Sequence, residues 1–235
     1  MLEAVLFDWG DTLMRWEFSP ALLAAGHAAG LAELGLEPNP ELTARFRDAY
    51  LPGLWAPDVL EEVEYPGLVR RLLGEFEIEP DDEALDRYLE AEHRAWGPAR
   101  QLAPTTHELL DALRERGLRL GLVSNALDPP RLLHRDLADF DVADRLDAAV
   151  FSSEVGWRKP HAAIFERALE LTGADPERTL MVGDRLREDV GGAAALGMRT
   201  CQALWFRADE NEAEPEPDVR AFTQMDVLSA VDSLV

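Results

Sequence analysis

The 235-residue chain contains one cysteine, Cys201, and one lysine, Lys159. A lone cysteine excludes an internal disulfide and fits a reducing compartment. Positive charge is scarce: 23 Lys and Arg stand against 46 Asp and Glu, a formal net charge of −23. Nucleic-acid backbones are held by clustered Lys and Arg, so this balance argues against nucleic acid as a partner. Any anionic substrate has to be held locally, by a metal ion or a few cations. No apolar run approaches the roughly 20 residues of a membrane helix. Glu3 stands where a secretory signal would carry positive charge, and the expectation is a cytoplasmic protein that engages no membrane. The remaining 22 basic residues are all arginine. Lys159 therefore marks a position where a compact, rotatable ammonium serves and a planar guanidinium does not.

Hydrophobic residues make up 47% of the chain, enough for a real core. Short β-rich apolar runs recur at Ala4–Phe7, Leu118–Val123, Ala148–Phe151 and Thr179–Val182, with a weaker one at Met198–Leu204. Helical patterns follow them at Thr105–Arg116, Pro130–Ala138, Pro160–Leu171 and Arg185–Leu196, and a last helix is expected near Met225–Leu234. Continuous apolar strands alternating with helices predict a Rossmann-like, doubly wound parallel sheet covered on both faces, an α/β fold. Between Trp16 and Ala99 the pattern is helical only, with segments near 20–35, 40–50, 58–76 and 81–97. The predicted organisation is a core of 1–15 and 100–235 and an all-helical insert of 16–99. The acidic stretch Arg207–Asp218 reads as an exposed loop.

In open parallel sheets, ligands bind beyond the carboxyl ends of the strands. The residues after each run are Asp8, Gly10, Asp11 and Thr12; Ser124 and Asn125; Glu154 and Lys159; then Gly183, Asp184 and Asp189. A carboxylate held at a strand end suits a nucleophile. Asp8 and Asp184 could share a hard divalent cation, Ser124 could donate to a phosphoryl oxygen, and Lys159 could place its charge beside both. The five histidines, His27, His93, His107, His134 and His161, show no metal-site spacing. Trp16, Phe18, Trp55, Trp96 and Trp157 could pack the core or face the site. Gly191-Gly192 suits close helix–sheet packing.

The segments FDWGDTL, LVSN, GWRKP and VGDRLRED resemble, in order, the four motifs of the haloacid dehalogenase (HAD) superfamily. The resemblance covers 1–15 and 100–204, and the insert resembles the helical cap of that superfamily's first subclass. It implies a Mg²⁺-dependent phosphatase of a small phosphorylated metabolite, working through an aspartyl-phosphate as a monomer or homodimer. It implies Asp8 as nucleophile, Lys159 as organiser of the nucleophile and intermediate, and Ser124, Asn125 and Thr12 at the substrate. Magnesium would be held by Asp8, Asp184, Asp189 and the carbonyl of Gly10, with Asp189 acting through water or holding Lys159 instead. Asn125 is expected to help through its backbone.

One position departs from the pattern. The family's phosphatases usually carry a second Asp two residues after the nucleophile, as general acid and base. Here that residue is Gly10, with Asp11 one step later. In extended geometry the third residue points away from the nucleophile's face, so Asp11 is expected to cap a turn. Two other readings remain: carbon–halogen hydrolysis, which needs no acid, and a catalytically silent binding protein. Against the first, Asp184 is retained and no aromatic stands at Gly10. Phosphonate cleavage is excluded, because it needs a cap lysine and the insert has none.

Overall fold

The computed structural model describes residues 1–54, 58–206 and 215–234. Trp55 and most of the acidic stretch after Leu204 lie outside the described residues. In chain order the strands are β1 (Ala4–Phe7), β2 (Met14–Trp16), β3 (Arg100–Leu102), β4 (Arg119–Ser124), β5 (Ala148–Phe151), β6 (Thr179–Gly183), β7 (Arg199–Ala203) and β8 (Val219–Ala221). Six of them form one parallel sheet in the order β5-β4-β1-β6-β7-β8, while β2 and β3 pair antiparallel as a separate ribbon.

Side chains alternate across the sheet, so each strand feeds two cores. Val5 and Phe7 of β1 join Leu109, Leu113 and Val231 on one face. Leu6 points the other way, into Ile164, Phe165 and Ala168. Strand β6 repeats the pattern, with Leu180 and Val182 on the first face and Met181 on the second. This double burial explains why the strands read as unbroken apolar runs. Five expected strands are present, with no boundary moved by more than one residue. The sixth, β8, was not anticipated: it directly follows Asp218, whose carboxylate accepts from the N–H of Thr200 at 2.9 Å. The described end of the acidic stretch is a loop, exposed at Glu216 and Asp218, and Asp218 anchors it to the sheet. Three-residue strands such as β2, β3 and β8 carry too few residues for a period to show.

Helices α1 (Pro20–Glu33), α2 (Pro40–Leu54), α3 (Tyr65–Gly74) and α4 (Asp82–Ala95) lie between β2 and β3 and share their own apolar cluster, centred on Leu31, Phe46, Leu72 and Tyr88. A Cβ at Gly30 would come within 2.6 Å of the Tyr88 ring, so glycine sets how closely α1 approaches α4. The expected helix over 58–76 begins only at Tyr65, where Glu64 accepts from the N–H of Gly67 at 2.7 Å. The residues before it are extended: Glu62 N–H donates to Gly156 O at 2.9 Å, and Arg158 N–H donates to Leu60 O at 2.8 Å. Backbone pairing with the core has overridden the helical pattern there.

The remaining helices are α5 (Thr106–Glu115), α6 (Pro130–Asp139), a single turn α7 (Ser152–Val155), α8 (Ala162–Thr172), α9 (Gly192–Ala194) and α10 (Asp226–Ser233). In place of one helix over 185–196, a π-helical turn at Leu186–Gly191 precedes α9. Gly192 behaves as the sequence suggests: a Cβ there would lie 2.6 Å from the Phe165 ring and 3.0 Å from Pro160 Cα. Backbone and a buried ring cannot both give way. Gly192→Ala should therefore cost about 1–3 kcal/mol of stability. Gly74→Ala, where a Cβ meets nothing within 4 Å, serves as the control. Urea denaturation of the two variants checks this; equal midpoints would refute it.

Candidate active site

Strand β1 sits between β4 and β6, where the order of connections reverses and a crevice opens beyond the strand ends. Asp8 follows β1 and is fixed by its own N–H, which donates to Val182 O at 2.9 Å. Ser124 ends β4, Asp184 follows β6, and Asp189 lies on the π-helical turn. Asp8, Ser124, Lys159, Asp184 and Asp189 are all buried.

Lys159 joins the group. Its Nζ donates to Asp8 Oδ1 at 2.5 Å, to Asp189 Oδ1 at 2.6 Å and to Val123 O at 2.8 Å. Burial works against the ammonium, but the charges of Asp189 and Asp8 outweigh it and hold the Lys159 pKa above its ordinary value. Asp8 is pushed up to about 6, because burial outweighs the attraction of Lys159 and Asp189 adds repulsion. Asp189 fits here because Gly183 has no side chain: a Cβ at Gly183 would sit 2.3 Å from the Asp189 carboxyl carbon. The second oxygen of Asp189 accepts from Arg185 N–H at 3.0 Å.

The Asn125 side chain is engaged with Lys159: Oδ1 accepts from Lys159 N–H at 2.7 Å and Nδ2 donates to Lys159 O at 3.4 Å. The amide clamps both polar groups of the Lys159 main chain, so Asn125 sets where the ammonium starts from.

Carboxylate oxygens of Asp8, Asp184 and Asp189 lie within 4.8 Å of one another, and all three residues are buried. Three buried carboxylates this close repel one another, and the ammonium of Lys159 reaches two of them, Asp8 and Asp189. Such a site is costly unless a cation joins it. The donors are all oxygen, with no His or Cys, which suits a hard divalent ion such as Mg²⁺. The residues present therefore fit a metal.

Gly10 and Asp11 both face the cavity beside Asp8. Asp11 has φ +56°, a left-handed conformation that Asp tolerates better than most residues. Its N–H donates to Met14 O at 2.6 Å, and its Oδ1 accepts from Trp16 N–H at 3.2 Å. Asp11 thus ties the turn after β1 to β2, in keeping with a structural acid. Thr12 is fully buried and does not line the cavity. Its carbonyl accepts from Trp205 Nε1 at 2.8 Å, so the chain turns it into the core instead of toward a substrate. Glu154 is also elsewhere, accepting from Phe151 N–H at 3.0 Å and facing His134. Trp157 stacks on His161 with ring centroids 4.1 Å apart.

The cavity over these residues measures about 460 Å³ and takes walls from the insert as well as from the core. His93 of α4 is part of it and was not singled out by spacing. Its Nδ1 lies 2.7 Å from Asp128 Oδ1, and its Nε2 lies 3.1 Å from Asp136 Oδ1 and 2.7 Å from Arg100 Nη1. The Asp136 contact needs a proton on Nε2 and the Arg100 contact needs it absent. Two carboxylates against one guanidinium leave a negative charge that an imidazolium cancels, so the charged ring is favoured. Burial pulls the His93 pKa down, but Asp128 and Asp136 outweigh it and the net direction is up. Glu62, on the extended segment before α3, reaches Ser152 Oγ and lies 3.9 Å from Arg158 Nη1. In the insert, Glu92 is pushed up to about 8 by burial, although Tyr65 donates to it.

Comparison with known proteins agrees with this geometry. The family model for haloacid dehalogenase-like hydrolases matches residues 2–197, and the chain belongs to that family. The glyceraldehyde 3-phosphate phosphatase of Methanothermobacter thermautotrophicus is 38% identical over 110 residues, 47% of this chain and 46% of that protein. The chain thus spans about half the length of that curated relative, and the Pyrococcus abyssi phosphatase of the same name is matched over 42% of its length. Pyrimidine 5′-nucleotidase PynA of Streptococcus pneumoniae is 26% identical over 97% of this chain and 94% of its own. Two solved structures share the fold: a HAD phosphatase from Thermococcus onnurineus (TM-score 0.64, 23% identity, 98% of both chains) and a 2-haloacid dehalogenase from Pseudomonas syringae (TM-score 0.69, 24% identity, 100% of both chains). Among the described residues, no helix is long and apolar enough to cross a membrane.

His93 bridges the insert to the core, and its raised pKa gives the bridge a pH window. The contribution is fully present below the unfolded value near 6.5 and is lost as pH rises through the higher folded value. Asp128, whose pKa burial raises but His93 lowers further, stays ionised through that window. His93→Asn should cost about 3 kcal/mol at pH 6 and clearly less at pH 9. Thermal unfolding at the two pH values checks this; a pH-independent loss would refute it.

Proposed function

We propose that this hydrolase is a Mg²⁺-dependent phosphatase of a small phosphorylated metabolite, with Asp8 as the nucleophile. The observation that carries the reading is the ammonium of Lys159 held 2.5 Å from Asp8 within a buried set of three carboxylates. The names of the relatives, glyceraldehyde 3-phosphate phosphatase and pyrimidine 5′-nucleotidase, support this class of substrate.

Asp8, Asp184 and the carbonyl of Gly10 would hold the magnesium, which supplies positive charge beside the nucleophile and the phosphoryl oxygens. Asp189 is better used in holding Lys159, since one oxygen accepts from Nζ and the other from Arg185 N–H. A carboxylate oxygen of Asp8 attacks phosphorus, the ester P–O bond breaks, and an aspartyl-phosphate forms. Water then attacks that phosphorus, releasing inorganic phosphate and restoring Asp8. Lys159 steadies the negative charge on Asp8 and on the acyl phosphate. Ser124 donates a hydrogen bond to a phosphoryl oxygen. Thr12 is left out of the substrate set, and Asn125 enters it only through Lys159. The insert of residues 16–99 acts as a cap on the core of 1–15 and 100–235, closing over the leaving group. Cys201, alone and buried, fits a cytoplasmic enzyme.

With glycine at position 10, the carboxyl group two residues after Asp8 that would protonate the departing oxygen is missing. Leaving groups that depart as stable anions suffer least. Gly10 has room for more: a Cβ there meets only Trp16 Cβ, at 3.9 Å. Gly10→Asp should therefore raise kcat on an alkyl phosphate by about 10²-fold, the lower end of general acid–base contributions. It should do much less for 4-nitrophenyl phosphate. Steady-state kinetics on the two esters checks this, and equal gains would refute it. Asp8→Asn, or chelation of the metal in the wild type, should lower phosphate release by at least about 10³-fold. Phosphate release that survives Asp8→Asn would overturn the assignment, as would chelator-insensitive halide release from a 2-haloacid.

A further inference from the structure

The site described above is specified at the phosphate end. The opposite wall of the same cavity carries information about the other half of the ester.

Trp16, Phe18 and Trp96 all line the cavity and are each half-buried. Trp16 ends β2, Phe18 leads into α1, and Trp96 caps α4. Trp16 and Trp96 are stacked, with centroids 5.9 Å apart and an interplanar angle of 23°. Phe18 lies 6.2 Å from Trp16 and 5.9 Å from Trp96, tilted against both. Each ring is thus braced by two others, so a flat guest meets a surface that is already ordered. All three rings keep part of their surface open on the cavity side of the insert.

Charge narrows the guest further. Nine Asp and Glu side chains, Glu92 among them largely protonated at neutral pH, line the cavity against four Lys and Arg side chains. Lys159 pairs with Asp8 and Asp189, Arg100 with Asp136, and Arg158 with Glu62. His93 is likewise held between Asp128 and Asp136. A metal beside Asp8 would serve one phosphate. A second anionic group on the substrate would meet a wall in which Asp and Glu outnumber Lys and Arg, which disfavours it in a desolvated site. The volume, about 460 Å³, lies within the roughly 300–1,000 Å³ of pockets that enclose ligands of drug size. A three-carbon sugar would leave much of it to water.

We propose that the cavity selects phosphate monoesters whose leaving group carries a flat, uncharged ring, an aryl alcohol or a nucleoside, which stacks on the Trp16–Phe18–Trp96 wall. This rests on the phosphatase reading of Asp8 and adds the identity of the leaving group to it. Esters bearing a carboxylate or a second phosphate are rejected by charge, and short open-chain sugar phosphates bind without the stacking contribution.

The test compares kcat/KM with Mg²⁺ for 4-nitrophenyl phosphate, uridine 5′-monophosphate, glyceraldehyde 3-phosphate, 2-phosphoglycolate and fructose 1,6-bisphosphate. The ring esters should exceed the triose phosphate by tenfold or more, and the last two should be poorest. The order of the two ring esters tells which source of ring the wall favours. Trp96→Ala should raise KM for the ring esters about tenfold, within the range stacking on an aromatic side chain provides. It should move KM for glyceraldehyde 3-phosphate less than twofold, and Trp96→Phe should restore most of the loss. A preference for the triose phosphate or for phosphoglycolate would overturn the inference, as would an equal KM change for every ester. If no ester is turned over in an Asp8-dependent way, the phosphatase reading fails separately. Calorimetric binding of the non-hydrolysable phenyl, nucleoside and propyl phosphonates then decides the wall, and equal affinity for all three would overturn it.

Discussion

The ammonium of Lys159 is the contact on which the site depends. An Nζ has three N–H bonds, and here each finds an acceptor: Asp8, Asp189 and the carbonyl of Val123. A buried charge survives only when paired and fully hydrogen-bonded, and this one is both. The three partners come from the end of β1, the π-helical turn and β4, so one nitrogen pins three separate stretches of chain together. A guanidinium is planar, wider and forked, and could not place three convergent bonds on one centre. That is the physical reason a chain which uses arginine at every other basic position keeps a single lysine. Removing it would leave Asp8 and Asp189 buried side by side without compensation.

Around that nitrogen the supporting contacts are short-range and specific. Asn125 grips the Lys159 main chain at both N–H and carbonyl. Gly183 clears the space that the Asp189 carboxyl fills, and Gly192 lets α9 close on Pro160, the neighbour of Lys159. Each of these contacts limits where the ammonium can be. The position of Asp8 is therefore a property of the packed core, not of the loop that carries it.

The sequence shows the phosphate end of this arrangement well. Asp8, Ser124, Lys159, Asp184 and Asp189 were legible because they follow apolar runs, and parallel-sheet topology collects strand ends in one place. Thr12 and Glu154 follow such runs too, but local turns send them into the core and onto His134. The side-chain clamp of Asn125 on Lys159 was not legible, since an amide's partner cannot be read from its neighbours in sequence. The insert was legible as helices and opaque as a surface. The helical stripes identify Leu31 and Leu72 as core, but say nothing about His93 meeting Asp128 and Asp136 across the boundary. The extended segment before α3 was missed because its partner lies almost a hundred residues away.

That extended segment has one more consequence. Leu60 and Glu62 pair with Gly156 and Arg158, the backbone immediately before Lys159. The piece of chain that positions the insert is therefore continuous with the piece that positions the ammonium. Lineages that recombine such inserts among related cores would not inherit a modular part here. A replacement insert would have to bring its own match for residues 156–158, or the exchange would disturb the nucleophile while altering specificity. Change at the rim of this protein is thereby tied to its catalytic centre, which favours stepwise substitution within the insert over wholesale replacement.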